Sequence, residues 1–76
     1  MALLNKLEKK SPDRHPVHKP INSTYMAFSD SGKCYVQIDT YGSATSQVPG
    51  KISQSIQLDE ASAKQLWSIL GKEYGF

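Results

Sequence analysis

Residues 35–70 read YVQIDTYGSATSQVPGKISQSIQLDEASAKQLWSIL and contain the clearest secondary-structure signals of the chain. Apolar and polar residues alternate from Cys34 to Tyr41, which is typical of a strand that is buried on one face. One side of this strand carries Cys34, Val36 and Ile38, and the other carries Tyr35, Gln37, Asp39 and Tyr41. The stretch predicts a strand, a polar loop, a second strand and a helix.

The second strand is expected from Lys51 to Leu58, where the alternation returns. Its core side would hold Ile52, Ile56 and Leu58, and its other side Lys51, Ser53, Ser55 and Gln57. Gln54 falls on the core side, where a polar side chain is out of place. A β-bulge near Gln54 would shift the register so that this side chain faces outward.

Turn signals separate the strands. Residues 23–29 are typical of a short strand, and Asp30-Ser31-Gly32-Lys33 after them indicates a hairpin turn. Gly42 to Gly50 is polar and ends in the turn pair Pro49-Gly50.

The C-terminal region predicts a capped helix. The Asp59 carboxylate can accept hydrogen bonds from the free N–H groups of the first turn, and Glu60 suits its positive end. Gly71 or Gly75 would end the helix, with Lys72 near its negative end. An apolar stripe is formed by Ala63, Leu66, Trp67, Leu70 and Tyr74, widened by Ile69. The fold class is therefore α+β, an antiparallel meander of three to four strands with one C-terminal helix on one face.

Size limits how such a fold is stabilised. The chain has 76 residues, 38% of them hydrophobic, and chains this short have marginal cores. Its single cysteine, Cys34, excludes an intramolecular disulfide, and no Cys and His cluster predicts a zinc site. His15, His18 and Asp13 have a spacing that a metal could use, but the neighbouring prolines argue against a preformed site, and we predict neither a metal nor a cofactor. Association into a homodimer is the most available reinforcement.

The N-terminal segment differs from the rest in charge. Residues 1–20 hold five cations and two carboxylates, a net charge of +3, whereas residues 21–76 have a net charge of −1. Three prolines exclude a helix or central strand there. We expect residues 1–22 to form a basic, flexible arm, with a short amphipathic turn at Leu3, Leu4 and Leu7, and residues 23–76 to form the domain. Such an arm can contact phosphates through charge, or simply remain a solvated terminus.

No targeting signal is visible. The first ten residues have too short an apolar stretch for a signal peptide, and no stretch approaches transmembrane length. We expect a cytoplasmic protein.

A sheet covered by one helix leaves its other face open. Aromatic rings, amides, hydroxyls and a lysine on that face suit stacking on unpaired bases and hydrogen bonding to phosphates or base edges. The same residue types also form ordinary polar sheet surfaces. The candidate face consists of Tyr35, Gln37, Tyr41, Lys51, Ser53, Ser55 and Gln57.

These motifs resemble a known family over roughly residues 23–74. Gln37-Ile38-Asp39-Thr40-Tyr41, then Pro49-Gly50-Lys51, and Ser55-Ile56-Gln57-Leu58 before a helix are similar to the single-stranded DNA-binding core of the transcriptional coactivator positive cofactor four and its small bacterial and phage relatives. The resemblance implies a homodimer that holds single-stranded nucleic acid between curved sheets. Its helices would contribute to the dimer interface through Leu66, Trp67, Leu70 and Tyr74.

The resemblance also assigns roles to individual positions. Tyr41 matches the aromatic position that stacks on a base, and Lys51 matches the basic position after the loop. Asp39 stands where that family usually has an arginine. Relative to the family, this chain also has two extra residues between Lys51 and Ser55-Ile56-Gln57-Leu58. Binding would then depend on Tyr35 and Tyr41 together with charge from Lys33, Lys51 and the arm, including Arg14 and Lys19.

The function expected from these residues is sequence-tolerant binding of single-stranded DNA or RNA on the open sheet face, assisted by the basic arm, and two other functions are possible. The near-neutral core favours a protein-interaction or accessory subunit that does not touch nucleic acid. An enzyme is not expected, because the only histidines lie in the arm and residues 23–76 contain no paired carboxylates, nucleophile triad or phosphate-binding glycine loop.

Overall fold

A computed structural model of the chain describes residues 1–42 and 51–76. The expected polar loop with its Pro49-Gly50 turn lies outside these residues, except for Gly42. Four strands and one helix follow in chain order: β1 (Ala2–Leu4), β2 (Ser23–Asp30), β3 (Lys33–Tyr41), β4 (Ile52–Leu58) and α1 (Glu60–Tyr74). The α+β class and the single C-terminal helix are confirmed.

The strands form one sheet in the order β1-β4-β3-β2. β2, β3 and β4 pair antiparallel, as the meander requires. β1 is an unexpected addition, since Ala2–Leu4 pair in parallel with Ile56–Leu58 at the sheet edge. The sheet is therefore mixed. The amphipathic turn expected at Leu3, Leu4 and Leu7 is wrong, because the backbone of Leu3 and Leu4 pairs with β4 as a strand.

The hairpin between β2 and β3 is confirmed. Asp30 pairs with Lys33, and the two residues between them, Ser31 and Gly32, have φ angles of 51° and 77°. Two positive φ angles define the turn type whose twist matches that of the flanking strands. The pairing then continues without interruption to Ser23 and Thr40.

The bulge lies one residue from where it was expected. Thr40 pairs with Gln54 and Tyr41 pairs with Ile52, so Ser53 is the extra residue of β4. Gln54 keeps the register of Ile56 and stays on the same face of the sheet, so the expected shift of Gln54 to the other face is wrong, although its side chain is exposed. The shift moves Ile52 instead, and its expected place on the core side is wrong because it now shares a face with Tyr41.

α1 begins and ends as the sequence indicates. Asp59 Oδ1 accepts a hydrogen bond of 2.8 Å from the Ser62 N–H. Gly75 has a left-handed φ of 76° and donates its N–H to the Gly71 carbonyl, so Gly75 is the residue that ends the helix. The main contacts of α1 are with β3 and β4.

The helix face turned to the sheet differs from the expected stripe. Ser62 is completely buried, Leu66 and Leu70 are half-buried, and Trp67 is 75% exposed. Tyr74 is also exposed. The apolar stripe is wide enough to continue around the flank of the helix, and only part of it meets the sheet.

The core of the single chain is small. Leu58 is the only buried apolar residue within residues 1–42 and 51–76. Val36, Ile38 and Ile56 around it remain half-buried. No helix in the described part of the chain is long and apolar enough to cross a membrane.

Candidate binding surfaces

The face of the sheet opposite α1, here called the open face, carries the odd-numbered residues of β3. The strand register brings Gln57 opposite Gln37 and Ser55 opposite Asp39, on the same side. The structure thus brings five of the residues singled out in the sequence onto one face. They are Tyr35, Gln37, Tyr41, Ser55 and Gln57.

A hydrogen-bonded network occupies the centre of the open face. Asp39 Oδ1 accepts hydrogen bonds from Ser55 Oγ at 2.6 Å and from Gln37 Nε2 at 2.8 Å. Gln57 Nε2 donates to Gln37 Oε1 at 2.9 Å. Asp39 is only 5% exposed and Ser55 is buried as well. These polar groups therefore bind one another, and the centre of the face holds a buried carboxylate where a phosphate would need a cation.

Aromatic rings lie at the two ends of this network. Phe28 and Tyr35 stack with their ring centroids 5.5 Å apart, next to the hairpin. At the opposite end, the Tyr41 hydroxyl lies 3.0 Å from Thr24 Oγ1. Both tyrosines are half-buried, so each presents only part of its ring to a ligand.

The predicted cations surround the network and do not enter it. Lys33 starts β3 beside the hairpin turn, and Lys51 immediately precedes β4; both are exposed. Arg14 and Lys19 are exposed in a segment without helix or strand. Ser53 is the bulge residue and is exposed.

The N-terminal segment is fixed at both of its ends. Ser62 Oγ donates to the Leu4 carbonyl at 2.7 Å, and the Gln65 side chain accepts from the Leu7 N–H at 2.9 Å and donates to the Leu7 carbonyl. The Asn22 carbonyl accepts from the Tyr41 N–H at 3.0 Å. The basic residues between Leu7 and Asn22 consequently lie on the connection between the two edge strands. This connection leaves β1, the neighbour of β4, and reaches β2, the neighbour of β3.

A separate apolar surface lies on the helix side of the sheet. Because α1 lies over β3 and β4, an open groove of about 660 Å³ remains between α1 and the hairpin strands. Ala27, Val36, Ala63 and Trp67 are among the residues that line it. Of the four residues predicted for a dimer interface, Trp67 borders this groove, Tyr74 is exposed, and Leu66 and Leu70 are half-buried.

Sequence reasoning missed the residues that hold β1. Ser62 and Gln65 occur as ordinary polar residues within a helix, and nothing in their spacing indicates a backbone partner 58 positions away. Asp39 departs from the pattern of the family that the sequence resembles, but its role as a hydrogen-bond acceptor follows only from the register with Ser55.

Comparison with known proteins found no family model, no curated protein and no solved structure that matches this chain. The resemblance to the positive cofactor four domain stays a prediction. Within the described residues, no three His, Cys, Asp or Glu side chains are grouped so that they could hold a metal ion.

Proposed function

We propose that this chain is a protein-interaction module whose apolar core is completed by a partner chain. The proposal rests on the small size of the core: among the apolar residues that the structure describes, only Leu58 is buried. A domain of this size normally buries about 60% of the surface that its unfolded chain exposes, and much of that area is apolar. The single chain falls short of such a core.

Several large apolar side chains are exposed and are available to form a core together with a partner. Tyr25 is 80% exposed and Trp67 is 75% exposed, and Met26, Leu3 and Ile52 are exposed as well. Large aromatic side chains on a surface mark interaction sites, because aromatic residues dominate the binding energy of protein interfaces. Covering them with a partner transfers apolar area out of water at about 25 cal/mol per Å².

The mass of the purified full-length chain tests this proposal. In sedimentation equilibrium at micromolar concentrations, we expect either a mass of at least twice 8.4 kDa or a chain that unfolds without cooperativity when alone. A mass of 8.4 kDa combined with sharp, cooperative unfolding would show that the single chain is complete, and would contradict the proposal.

A second candidate function is sequence-tolerant binding of single-stranded DNA or RNA on the open face. Two observations support it. Phe28 and Tyr35 form a stacked pair, and Lys33 lies two residues before Tyr35 on the same face of β3. An aromatic platform beside a cation suits an unpaired base and its phosphate. The connection between β1 and β2 adds positive charge, including that of Arg14 and Lys19, for contacts with phosphates. The buried Asp39 carboxylate weighs against it, and we rank this function second for that reason.

Fluorescence anisotropy with a labelled single-stranded oligonucleotide distinguishes the two functions. Nucleic-acid binding predicts an affinity at low salt that decreases as salt is raised and that weakens in Tyr35→Ala. A duplex of the same sequence serves as the control and should bind less tightly. Absence of binding at low salt would exclude the second function and leave the interaction module.

A further inference from the structure

Among the strands of residues 1–42 and 51–76, β2 is an edge strand without the usual protection against pairing. Its sequence, STYMAFSD, contains no proline and no lysine or arginine, and its eight residues pair with β3 without a bulge. The opposite edge strand, β1, is only three residues long. Natural proteins normally interrupt a long edge with charges, prolines or bulges, because its free backbone groups recruit another strand.

The hairpin geometry identifies which backbone groups of β2 are free. A two-residue turn makes Asp30 and Lys33 the hydrogen-bonded pair that closes the hairpin, and such pairs recur at every second residue. The bond from the Tyr41 N–H to the Asn22 carbonyl agrees with this alternation. The even-numbered residues of β2 therefore bond to β3. The N–H and C=O groups of Ser23, Tyr25, Ala27 and Ser29 point away from the sheet.

The free edge adjoins the apolar groove beside α1. Tyr25 and Ala27 pair with Ile38 and Val36, so their side chains lie on the helix side of the sheet. Ala27 and Trp67 both line the groove. An extended peptide added to β2 would satisfy its backbone groups but would leave Trp67 uncovered. The occupant has to bring both a strand and an apolar surface above it.

We propose that a second copy of this chain docks on β2, antiparallel to it, about a two-fold axis that passes through Met26 or Ala27. This inference rests on the proposed function and names the partner. The symmetry joins the two sheets into one of eight strands, with both helices on the same side. Each copy then supplies a neighbouring strand for the other's β2 and an apolar surface beside the other's Trp67.

The charges of β2 favour this direction of pairing. Asp30 is the only charged residue of the strand and lies at its C-terminal end. Antiparallel pairing about the central residues places the two Asp30 side chains about 20–27 Å apart, at a rise of about 3.4 Å per residue. A parallel arrangement would place like charges opposite each other, which is destabilising.

Disulfide trapping tests the pairing directly. Full-length chains carrying Cys34→Ser and one new cysteine, Met26→Cys or Ala27→Cys, are oxidised gently and compared by non-reducing electrophoresis. Residues opposite each other in antiparallel strands have Cα atoms about 4.5–5.5 Å apart, within the range of a disulfide. Ser29→Cys is the matched control on the same exposed edge, because its two copies would lie more than about 13 Å apart.

We expect efficient linkage at position 26 or 27 and little at position 29. Equal linkage at all three positions would indicate random collisions or parallel pairing, and would overturn the inference. A doubled mass without linkage at either central position would also overturn it, while leaving the interaction module intact. A single-chain mass with cooperative unfolding would overturn both.

Discussion

Ser55 Oγ donates a hydrogen bond of 2.6 Å to Asp39 Oδ1, and both residues are buried on the face of the sheet opposite α1. Their strands place them directly opposite each other. A buried carboxylate is tolerated because its oxygen is satisfied by Ser55 and Gln37. This pair therefore stabilises the pairing of β3 with β4 and removes its polar groups from the set available to a ligand.

Asp39→Ala should lower the free energy of unfolding by about 1–3 kcal/mol, because it leaves the buried Ser55 hydroxyl without its acceptor. Asp39→Asn retains one acceptor oxygen and should cost less. Denaturant unfolding at one fixed chain concentration measures both. Asp13→Ala, which removes an exposed carboxylate outside the helix and strands, should change the value by no more than about 0.5 kcal/mol. Equal effects of Asp39→Ala and Asp13→Ala would refute the structural role of the network.

Gln65→Ala should release the N-terminal strand without unfolding the rest of the sheet. It removes both hydrogen bonds to the Leu7 backbone, each with a net value of about 0.5–1.5 kcal/mol. Hydrogen exchange of the β1 amides should become faster, while exchange in β3 stays unchanged. Gln65→Glu is the control that retains an acceptor for the Leu7 N–H, and its effect should be intermediate. Unchanged exchange in β1 would show that Gln65 does not hold this segment.

Much of the fold could be predicted because its signals are local. Asp59 caps the helix that follows it directly, and Ser31-Gly32 closes a hairpin between adjacent strands. β1 could not be predicted, because three residues carry no periodicity and their partners lie 54 positions later in the chain. The side of Ile52 depended on one bulge residue, Ser53, whose place the alternation does not fix.

The candidate surfaces were predictable to a smaller extent. Alternation placed Tyr35, Gln37 and Tyr41 on one face correctly, because a strand has a fixed period of two. The burial of Asp39 could not be predicted, because it depends on the pairing of Asp39 with Ser55, and the sequence does not specify this register. The exposure of Trp67 depended on how α1 is rotated over the sheet, and a wide apolar stripe is compatible with several rotations.

Trp67→Ala should weaken self-association at least tenfold, which corresponds to about 1.4 kcal/mol. The side chain is 75% exposed in the single chain, so the substitution removes little of the chain's own packing. Sedimentation equilibrium measures the effect. Ile69→Ala, another exposed apolar position of α1, is the control and should have less effect. Association as tight as that of the unmodified chain would show that the Trp67 flank is not part of the interface.

Ala27→Pro and Phe28→Pro should behave differently although they are neighbours on β2. The Ala27 N–H points away from β3, so its loss removes a donor only from a docked strand and should reduce association with the sheet still folded. The Phe28 N–H belongs to the ladder with β3, and proline there should unfold the hairpin. Circular dichroism and sedimentation distinguish the two results. Similar unfolding by both variants would contradict the assignment of free and paired groups.

Amide hydrogen exchange of β2, measured by NMR at a low and a high chain concentration, shows whether a second copy pairs with this edge. If a second copy pairs with this edge, the amides of Tyr25, Ala27 and Ser29 should become protected as concentration rises. Those of Met26 and Phe28, already bonded to β3, should be protected at both concentrations. Rapid exchange of the odd-numbered amides in a sample of doubled mass would contradict the account, because the two copies would then meet elsewhere.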